Sequence, residues 1–128
     1  MIAADTSTWI ALFGGETGGD VELLDRALAD RQVVLPPPVL AELLSDPRLP
    51  AEVAEALVQL PLLEPTAGYW ERAGRLRARV LAHRRKARLG DALIAQSCLD
   101  HAVALITRDR DFRTFVEAAG LDLAAPRR

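Results

Sequence analysis

Short apolar runs alternate with helical patterns along the chain, and this alternation constrains the fold more than any other feature of the sequence. Apolar runs lie at residues 2–4, 33–35 and 103–106, and a further short strand at 62–64 is bracketed by Pro61 and Pro65; helical patterns lie between them. Short strands that alternate with helices are typical of a parallel sheet covered on both faces. The sequence therefore predicts an α/β protein, a three-layer α/β/α sandwich with a central and mostly parallel sheet.

The predicted helices follow from the residue types at their ends. Asp5-Thr6-Ser7 is a cluster of helix N-cap residues directly after the first strand, and Pro38 suits the first turn of a helix. Gly120 is typical of a helix end. We expect helices at about residues 6–13, 20–30, 38–44, 50–60, 69–85, 91–100 and 110–119, with a last edge strand at 121–123.

The length of 128 residues suits one domain, residues 1–128, and the chain contains no internal repeat or linker. No apolar run approaches the roughly 20 residues that a membrane-spanning helix needs. The N-terminus lacks the basic stretch of a signal peptide, and the single cysteine, Cys98, has no partner for an internal disulfide. These features predict a cytoplasmic protein with no membrane partner.

Charge is distributed unevenly, although the net charge is only −2. Residues 1–71 carry twelve acidic residues and three arginines, whereas residues 72–128 carry thirteen Arg or Lys and six acidic residues. Eight of those thirteen cations lie between Arg72 and Arg88. Binding of a polyanion depends on the local field rather than on the net charge, so this composition is compatible with a nucleic-acid partner.

Acidic residues follow the predicted strands at their carboxyl ends. Asp5 follows the first strand, Asp109 follows the strand that ends near Thr107, and Asp91 heads the helix that leads into that strand. In an open α/β sheet, ligand sites form just beyond the carboxyl ends of the strands, where the strand order switches. We therefore expect these acids to meet at one edge of the sheet.

Two of the acids are also aligned with apolar helix faces. Asp91 shares one predicted stripe with Ile94, Ala95 and Cys98, and Glu42 flanks the apolar face of its own helix. A carboxylate in line with a buried face needs a partner, because its desolvation alone is costly. Ionised carboxylates that face one another also repel, and a bound divalent cation removes that penalty.

The donor types favour a hard cation. His83, His101 and Cys98 are isolated from one another along the sequence, so no Cys and His combination suits zinc. Carboxylate oxygens instead favour Mg²⁺ or Mn²⁺, which bind phosphate oxygens and can activate water for attack on a phosphodiester. The sequence predicts metal-assisted phosphodiester hydrolysis.

Four segments, in this order, resemble the PIN-domain nucleases. They are Asp5-Thr6-Ser7 after the opening strand, Ala41-Glu42-Leu43-Leu44 after a proline, Gly90-Asp91-Ala92-Leu93-Ile94-Ala95, and Thr107-Arg108-Asp109-Arg110-Asp111-Phe112. The resemblance covers essentially the whole chain, and the chain is most similar to the VapC-type toxins of bacterial toxin–antitoxin pairs.

The resemblance implies a Mg²⁺- or Mn²⁺-dependent endoribonuclease that acts on RNA of the tRNA or rRNA class. It also implies a homodimer and inhibition by a cognate antitoxin protein that covers the active site. The residues that match the family's motifs by position are the acidic quartet Asp5, Glu42, Asp91 and Asp109, with Asp111 as a further candidate metal ligand, and the supporting hydroxyl residues Ser7 and Thr107.

The basic segment next to Asp91 suggests an RNA contact. Its cations Arg84, Arg85, Lys86 and Arg88 directly precede that acid, and arginine suits bidentate phosphate contacts. The same cations would suit an acidic segment of an antitoxin, or only the solvated surface of a long helix. The sequence leaves these three interpretations open.

Each acid also has a structural interpretation. Asp5 and Asp91 are of the type that caps helices, while Glu42 alone fits a solvated helix position and Asp109 alone fits a loop or cap. The joint placement of the four acids, rather than any one of them, favours a metal site.

Other functions make different demands on the sequence. A phosphatase of the haloacid dehalogenase type needs a second Asp two residues after the first, where this chain has Ser7. A phosphorylated receiver domain needs an acidic pair near the first strand and an acceptor Asp after the third, but Asp5 has no acidic neighbour and Glu64 stands beside Pro65. A non-catalytic PIN-like module that binds RNA or protein is the remaining alternative.

Overall fold

A computed structural model describes residues 1–125 of the protein and contains two short strands and seven α-helices within that range. The elements alternate much as the sequence predicts. In chain order they are β1 (Ile2–Ala4), α1 (Thr6–Phe13), α2 (Gly19–Ala29), α3 (Pro37–Leu44), α4 (Ala51–Val58), α5 (Tyr69–Ala82), α6 (Leu89–His101), β2 (Ala104–Ile106), a 3₁₀ turn (Arg110–Phe112) and α7 (Arg113–Ala119).

The sheet is parallel at every pairing described. Strands β1 and β2 pair in parallel register, from Ile2 opposite Ala104 to Ala4 opposite Ile106. The other predicted strands contribute single parallel bridges, in which Ile2 pairs with Val33, Leu35 with Leu62, and Leu105 with Leu123. When the five strand segments are numbered in chain order, they lie side by side in the sheet in the order 3-2-1-4-5, where segment 1 is β1 and segment 4 is β2. The strand order therefore switches direction between β1 and β2.

Both faces of this sheet are covered. Consecutive strand residues point to opposite faces, and both Ala3 and Ala4 are buried, as are both Leu105 and Ile106. The helices supply the covering side chains from their apolar stripes, including the predicted α5 stripe of Tyr69, Ala73, Leu76 and Val80. The predicted three-layer α/β class with a mostly parallel sheet is confirmed.

The end of α5 differs from the sequence prediction. The helix ends at Ala82 rather than near Arg85, because the chain turns into the left-handed region at Arg84, where φ is 57°. The backbone N–H of Arg85 closes the turn by donating to the carbonyl of Val80 at 3.3 Å. The basic residues from Arg84 to Arg88 therefore lie in a connection between helices and do not extend a helix face.

Smaller differences concern the other element boundaries. Helix α6 begins at Leu89, two residues before the predicted start at Asp91. The predicted strands at 33–35, 62–64 and 121–123 are reduced to isolated bridges, since each pairing between neighbouring segments involves a single residue pair. Within residues 1–125, no helix has both the length and the apolar composition to cross a bilayer.

Candidate active site

Asp5 lies at the carboxyl end of β1, next to the switch point, and its carboxylate is almost completely buried, with 3% of the residue exposed. It is the N-cap of α1, because Oδ1 accepts from the backbone N–H of Thr8 at 3.2 Å. Ser7 Oγ lies 2.8 Å from both carboxylate oxygens, and Thr107 Oγ1 donates to Oδ2 at 2.9 Å. The predicted supporting residues Ser7 and Thr107 therefore both contact Asp5.

These contacts leave Asp5 able to bind a cation. A carboxylate can accept about four hydrogen bonds. Within residues 1–125 the Asp5 carboxylate accepts three, from the Ser7 hydroxyl, the Thr8 backbone N–H and the Thr107 hydroxyl. Burial raises the pKa of Asp5, while the hydrogen bonds from Ser7, Thr107 and Thr8 act in the opposite direction. Hydrogen bonds therefore fix the position of the Asp5 carboxylate. Among the described residues, no cationic side chain forms an ion pair with it.

Asp109 is tied to Asp5 through Thr107. The backbone N–H of Asp109 donates to Thr107 Oγ1 at 2.9 Å, so one hydroxyl joins the loops that follow β1 and β2. Asp109 is also the N-cap of the 3₁₀ turn, because its Oδ1 accepts from the backbone N–H of Asp111 at 2.9 Å. Asp111 itself faces a cation, with its Oδ2 3.4 Å from Lys86 Nζ.

Asp91 lies in the first turn of α6, half-buried, and does not cap the helix, whose N-cap position is occupied by Arg88. Its pKa is raised from 3.8 to about 6, first by burial and then by the negative charges of Asp109 and Asp5. The positive charge of Arg88 opposes this shift in pKa, and the negative charge of Glu42 adds to it. The other three predicted acids thus lie close enough to Asp91 to raise its pKa at this edge of the sheet.

Glu42 is the exposed member of the group and lies on α3. Its Oε1 accepts from Thr6 Oγ1 at 3.0 Å, which joins α3 to the residue directly after Asp5. The same oxygen lies 3.8 Å from the place where a side chain at Gly90 would begin. That distance is an ordinary van der Waals contact, so Glu42 lies beside the start of α6, next to Asp91.

We call Asp5, Glu42, Asp91 and Asp109 the acid rim. None of the four forms an ion pair within the part of the chain that the structure describes. The atoms that these four residues offer to a metal ion are all carboxylate oxygens, which suit Mg²⁺ or Mn²⁺. Between residues 1 and 125, however, no three Asp, Glu, His or Cys side chains already converge as metal ligands. The rim fits a hard cation in chemistry and charge, and it is open rather than closed around one position.

The predicted basic residues are spread along the connection that leads to the rim. Arg85 pairs with Glu117 at 2.9 Å, Lys86 pairs with Asp111, and Arg88 is close enough to Asp91 to lower its pKa. Arg84 occupies the left-handed turn after α5. Three of these four cations therefore approach acidic groups of the site or of α7.

Two supporting contacts were not expected from the sequence. Thr6 holds Glu42, and Arg108 forms a bidentate pair with Asp20, at 2.8 Å from Nε to Oδ2 and 3.0 Å between the second pair of atoms. Asp20 Oδ2 also accepts from the buried Thr8 hydroxyl at 3.0 Å. These partners are 36, 88 and 12 positions apart, and no local pattern in the sequence indicates such pairs.

Comparison with known proteins bears on the family and the fold. The sequence matches the family model described as PIN domain over residues 2–117, and comparison with the curated proteins finds no match. Among solved structures, the fold is similar to a chain in the crystal structure of VapBC2 from Rickettsia felis bound to a DNA fragment from their promoter. The TM-score is 0.71 at 18% sequence identity, over 97% of this chain and 98% of that chain.

Proposed function

Because this chain belongs to the PIN domain family, we propose that it is a metal-dependent endoribonuclease that hydrolyses RNA phosphodiester bonds. The observation that carries the proposal is the acid rim at the switch point of the sheet. Four carboxylates lie there without an ion pair among residues 1–125, and the pKa of Asp91 is raised to about 6 by burial and by Asp109 and Asp5. Such an arrangement is costly unless a cation is bound.

Each residue of the rim has a separate task in this proposal. Asp5, Asp91 and Asp109 hold Mg²⁺ or Mn²⁺, and Glu42 completes the set from the exposed side. Ser7 and Thr107 fix the orientation of the Asp5 carboxylate by their hydrogen bonds. When bound, such an ion would supply the positive charge that polarises a phosphate and lowers the pKa of an attacking water.

Asp111 has a smaller part than Asp109. Its carboxylate is paired with Lys86 at 3.4 Å, and the pKa of Asp91 responds to the charge of Asp109. We therefore assign the fourth acid of the rim to Asp109, and Asp111 to the positioning of Lys86 near the substrate.

The proposal is tested by incubating the purified protein with total cellular RNA and Mn²⁺, next to an Asp5→Asn variant. Asparagine keeps a side-chain oxygen for the N-cap of α1 but removes the charge, so its fold is expected to persist. We expect the wild type to cleave RNA, EDTA to stop the reaction, and Mg²⁺ or Mn²⁺ to restore it. A wild type that cleaves no RNA in either metal would leave a non-catalytic PIN-like binding module as the better description.

We also propose that the protein is the toxin of a toxin–antitoxin pair and acts in the cytoplasm, as a homodimer, on RNA of the tRNA or rRNA class. The family and the likeness of the fold to a chain of a VapBC complex support this. Expression in a bacterial host tests it: growth should stop with the wild type, continue with Asp5→Asn, and recover when the protein encoded beside this gene is co-expressed. Mapping of RNA ends after brief expression identifies the substrate, and undiminished growth with an intact, active protein would argue against a toxin.

A further inference from the structure

A cleft of about 430 Å³ lies between the second half of α5 and α7, outside the acid rim. Val80 and Thr114 are both buried and form its base, and Ala118 lines its α7 side. A volume of this size is in the range of small-molecule sites in proteins. The cleft is therefore large enough for a single nucleotide unit, and part of its surface is apolar.

Most of the charged side chains that line the cleft are basic. Arg79, His83 and Arg85 line it, against one acidic residue, Glu117. Glu117 is bound to Arg85 at 2.9 Å, and both side chains are about half exposed, so the pair is weak and open to exchange. His83 Nδ1 donates to the carbonyl of Arg79 at 2.8 Å, so its Nε2 can donate to a phosphate only when the ring is protonated, and the two arginines are the permanent cations of the cleft. This chemistry suits a phosphate group.

The cleft is connected to the acid rim by a short cationic segment. Arg85 lines the cleft, Lys86 lies 3.4 Å from Asp111 Oδ2, and Arg88 lies near enough to Asp91 to influence its pKa. Arg85 and Arg88 are three residues apart, so their Cα atoms are separated by at most about 11 Å. A single RNA strand that contacts Arg85 and Arg88 would therefore reach from the cleft to the acid rim through its phosphate backbone.

From this geometry we infer that the cleft between α5 and α7 binds one nucleotide of the RNA strand that flanks the phosphate to be cleaved. The base lies against Val80, Thr114 and Ala118, and its phosphate takes the place of Glu117 as the partner of Arg85. This inference rests on the proposed nuclease function and adds to it a substrate-positioning site away from the metal. The cleft determines which phosphate of the RNA strand lies at the acid rim, and the acid rim cleaves it.

Filling the cleft tests the inference most directly. In Ala118→Trp, a large side chain occupies the place of the base, and Val116→Trp is the matched control on the same helix, at an exposed residue that does not line the cleft. In multiple-turnover cleavage of RNA with Mn²⁺, we expect Ala118→Trp to raise KM about tenfold with little change in kcat. The control should match the wild type, and thermal melts should show that both variants are folded.

Changes of charge test the phosphate contact separately. Metal-free binding of a labelled single-stranded RNA is measured by fluorescence anisotropy at several salt concentrations. Arg85→Ala should weaken binding and reduce the slope of log K against log salt by about 1. Glu117→Gln should strengthen binding, because it releases Arg85 for the phosphate. An unchanged salt slope in Arg85→Ala would overturn the assigned contact.

Ribonucleoside 5′-monophosphates, titrated one at a time into the metal-free protein and followed by NMR, decide whether the cleft binds a nucleotide at all. We expect shifts at residues of α5 and α7 in the wild type and their loss in Ala118→Trp. If the wild type cleaves RNA but the two tryptophan variants behave alike, the cleft inference is wrong and the nuclease proposal stands. If the wild type cleaves no RNA, the nuclease proposal fails, and shifts spread over other surfaces would overturn the cleft site as well.

Discussion

Asp91 and Asp100 lie on the same helix, α6, yet their pKa values are displaced in opposite directions. The pKa of Asp91 is raised to about 6 by burial and by the acids around it. The pKa of Asp100 is lowered, chiefly because Arg72 donates to both of its oxygens, at 3.0 and 2.7 Å. On one helix, therefore, Asp91 in the first turn forms no ion pair within the described residues, whereas Asp100 in the last turn is paired with Arg72 through both oxygens.

The helix dipole alone would give the reverse order. It favours the ionised carboxylate in the first turn and disfavours it in the last turn, by about 0.3–1 kcal/mol. Burial and neighbouring charges at Asp91, and the hydrogen bonds from Arg72 at Asp100, displace the two pKa values in the order opposite to that of the dipole. Asp20, paired with Arg108, behaves like Asp100. The comparison teaches that an acid neutralised by arginine supports the fold, whereas acids that face one another indicate a site for an added cation.

The largest expected effect is on catalysis at the unpaired end of α6. Asp91→Asn should lower the rate of RNA cleavage by more than about 100-fold, because even the loss of an outer partner of a metal ligand costs about 10–100-fold. Asp100→Asn is the matched control and should retain activity within about twofold, since Asp100 contacts Arg72 rather than the rim. Initial rates with Mn²⁺ measure both, and equal losses in the two variants would remove the distinction between the ends.

A smaller effect is expected for hydroxyl groups that hold these acids. Thr107→Val removes the hydrogen bond to Asp5 Oδ2 and the acceptor for Asp109 N–H, so activity should fall by about 10–100-fold. Thr66→Val provides the control at the paired end, because it removes a 3.5 Å contact to Asp100 and the acceptor for Arg72 Nη2 at 2.9 Å. A Thr107→Val variant with normal kcat and normal metal affinity would show that the rim does not depend on this hydroxyl.

Stability without metal should change in the opposite sense at the two ends. Asp91→Asn removes a charge that is repelled by its neighbours, so the melting temperature in EDTA should equal or exceed that of the wild type. Asp100→Asn breaks a bidentate ion pair and should lower the melting temperature by several degrees. Calorimetry in EDTA measures both melting temperatures. A clear decrease in that of Asp91→Asn would contradict the idea that the negative charges of the acid rim repel one another when no metal is bound.

The pH dependence of stability follows from the same pKa values. Asp91 has a folded pKa of about 6 against an ordinary value of 3.8, so the folded state takes up a proton more readily and gains stability as pH falls from about 7 towards 4. Asp100 has a lowered pKa, so its stabilisation is complete above about pH 4 and is lost as pH falls through the lower folded value.

We therefore expect protonation of Asp91 to raise the melting temperature of the metal-free wild type near pH 5 relative to pH 7. Asp91→Asn should reduce this rise, and Asp100→Asn should retain it. Melting curves over this pH range test the sign, and a rise that is the same size in Asp91→Asn would assign the proton to another group.

Much of the fold could be predicted because its signals are local. The N-cap residues at Asp5 and the apolar stripe of α5 are read within one or two helical turns. The predicted end of α5 is three residues too late, because the apolar and basic pattern continues past Ala82 while the backbone has already turned at Arg84. The single-residue bridges are predicted as strands, since an apolar run does not reveal how many residues pair.

The candidate site could be predicted only in part. The positions of Asp5 and Asp109 after predicted strands, and of Asp91 at the head of a helix that leads into one, were enough to predict that these acids meet at one edge of the sheet. The hydroxyl of Thr6 on Glu42, and the pairing of Arg108 with Asp20, were not predictable, because neither side chain stands in a motif that names its partner. The ligand roles of the four acids stay a prediction that the variants above can test.

The sequence by itself determined where strands and helices form and which acids follow the strands, because those choices depend on neighbours within a few residues. Tertiary structure alone decided which charges are neutralised. Thr107 meets Asp5 across 102 positions of the chain and Arg72 meets Asp100 across 28. The energy of a carboxylate depends on burial and on the sign of the nearest charge, and both are set only when distant segments pack together.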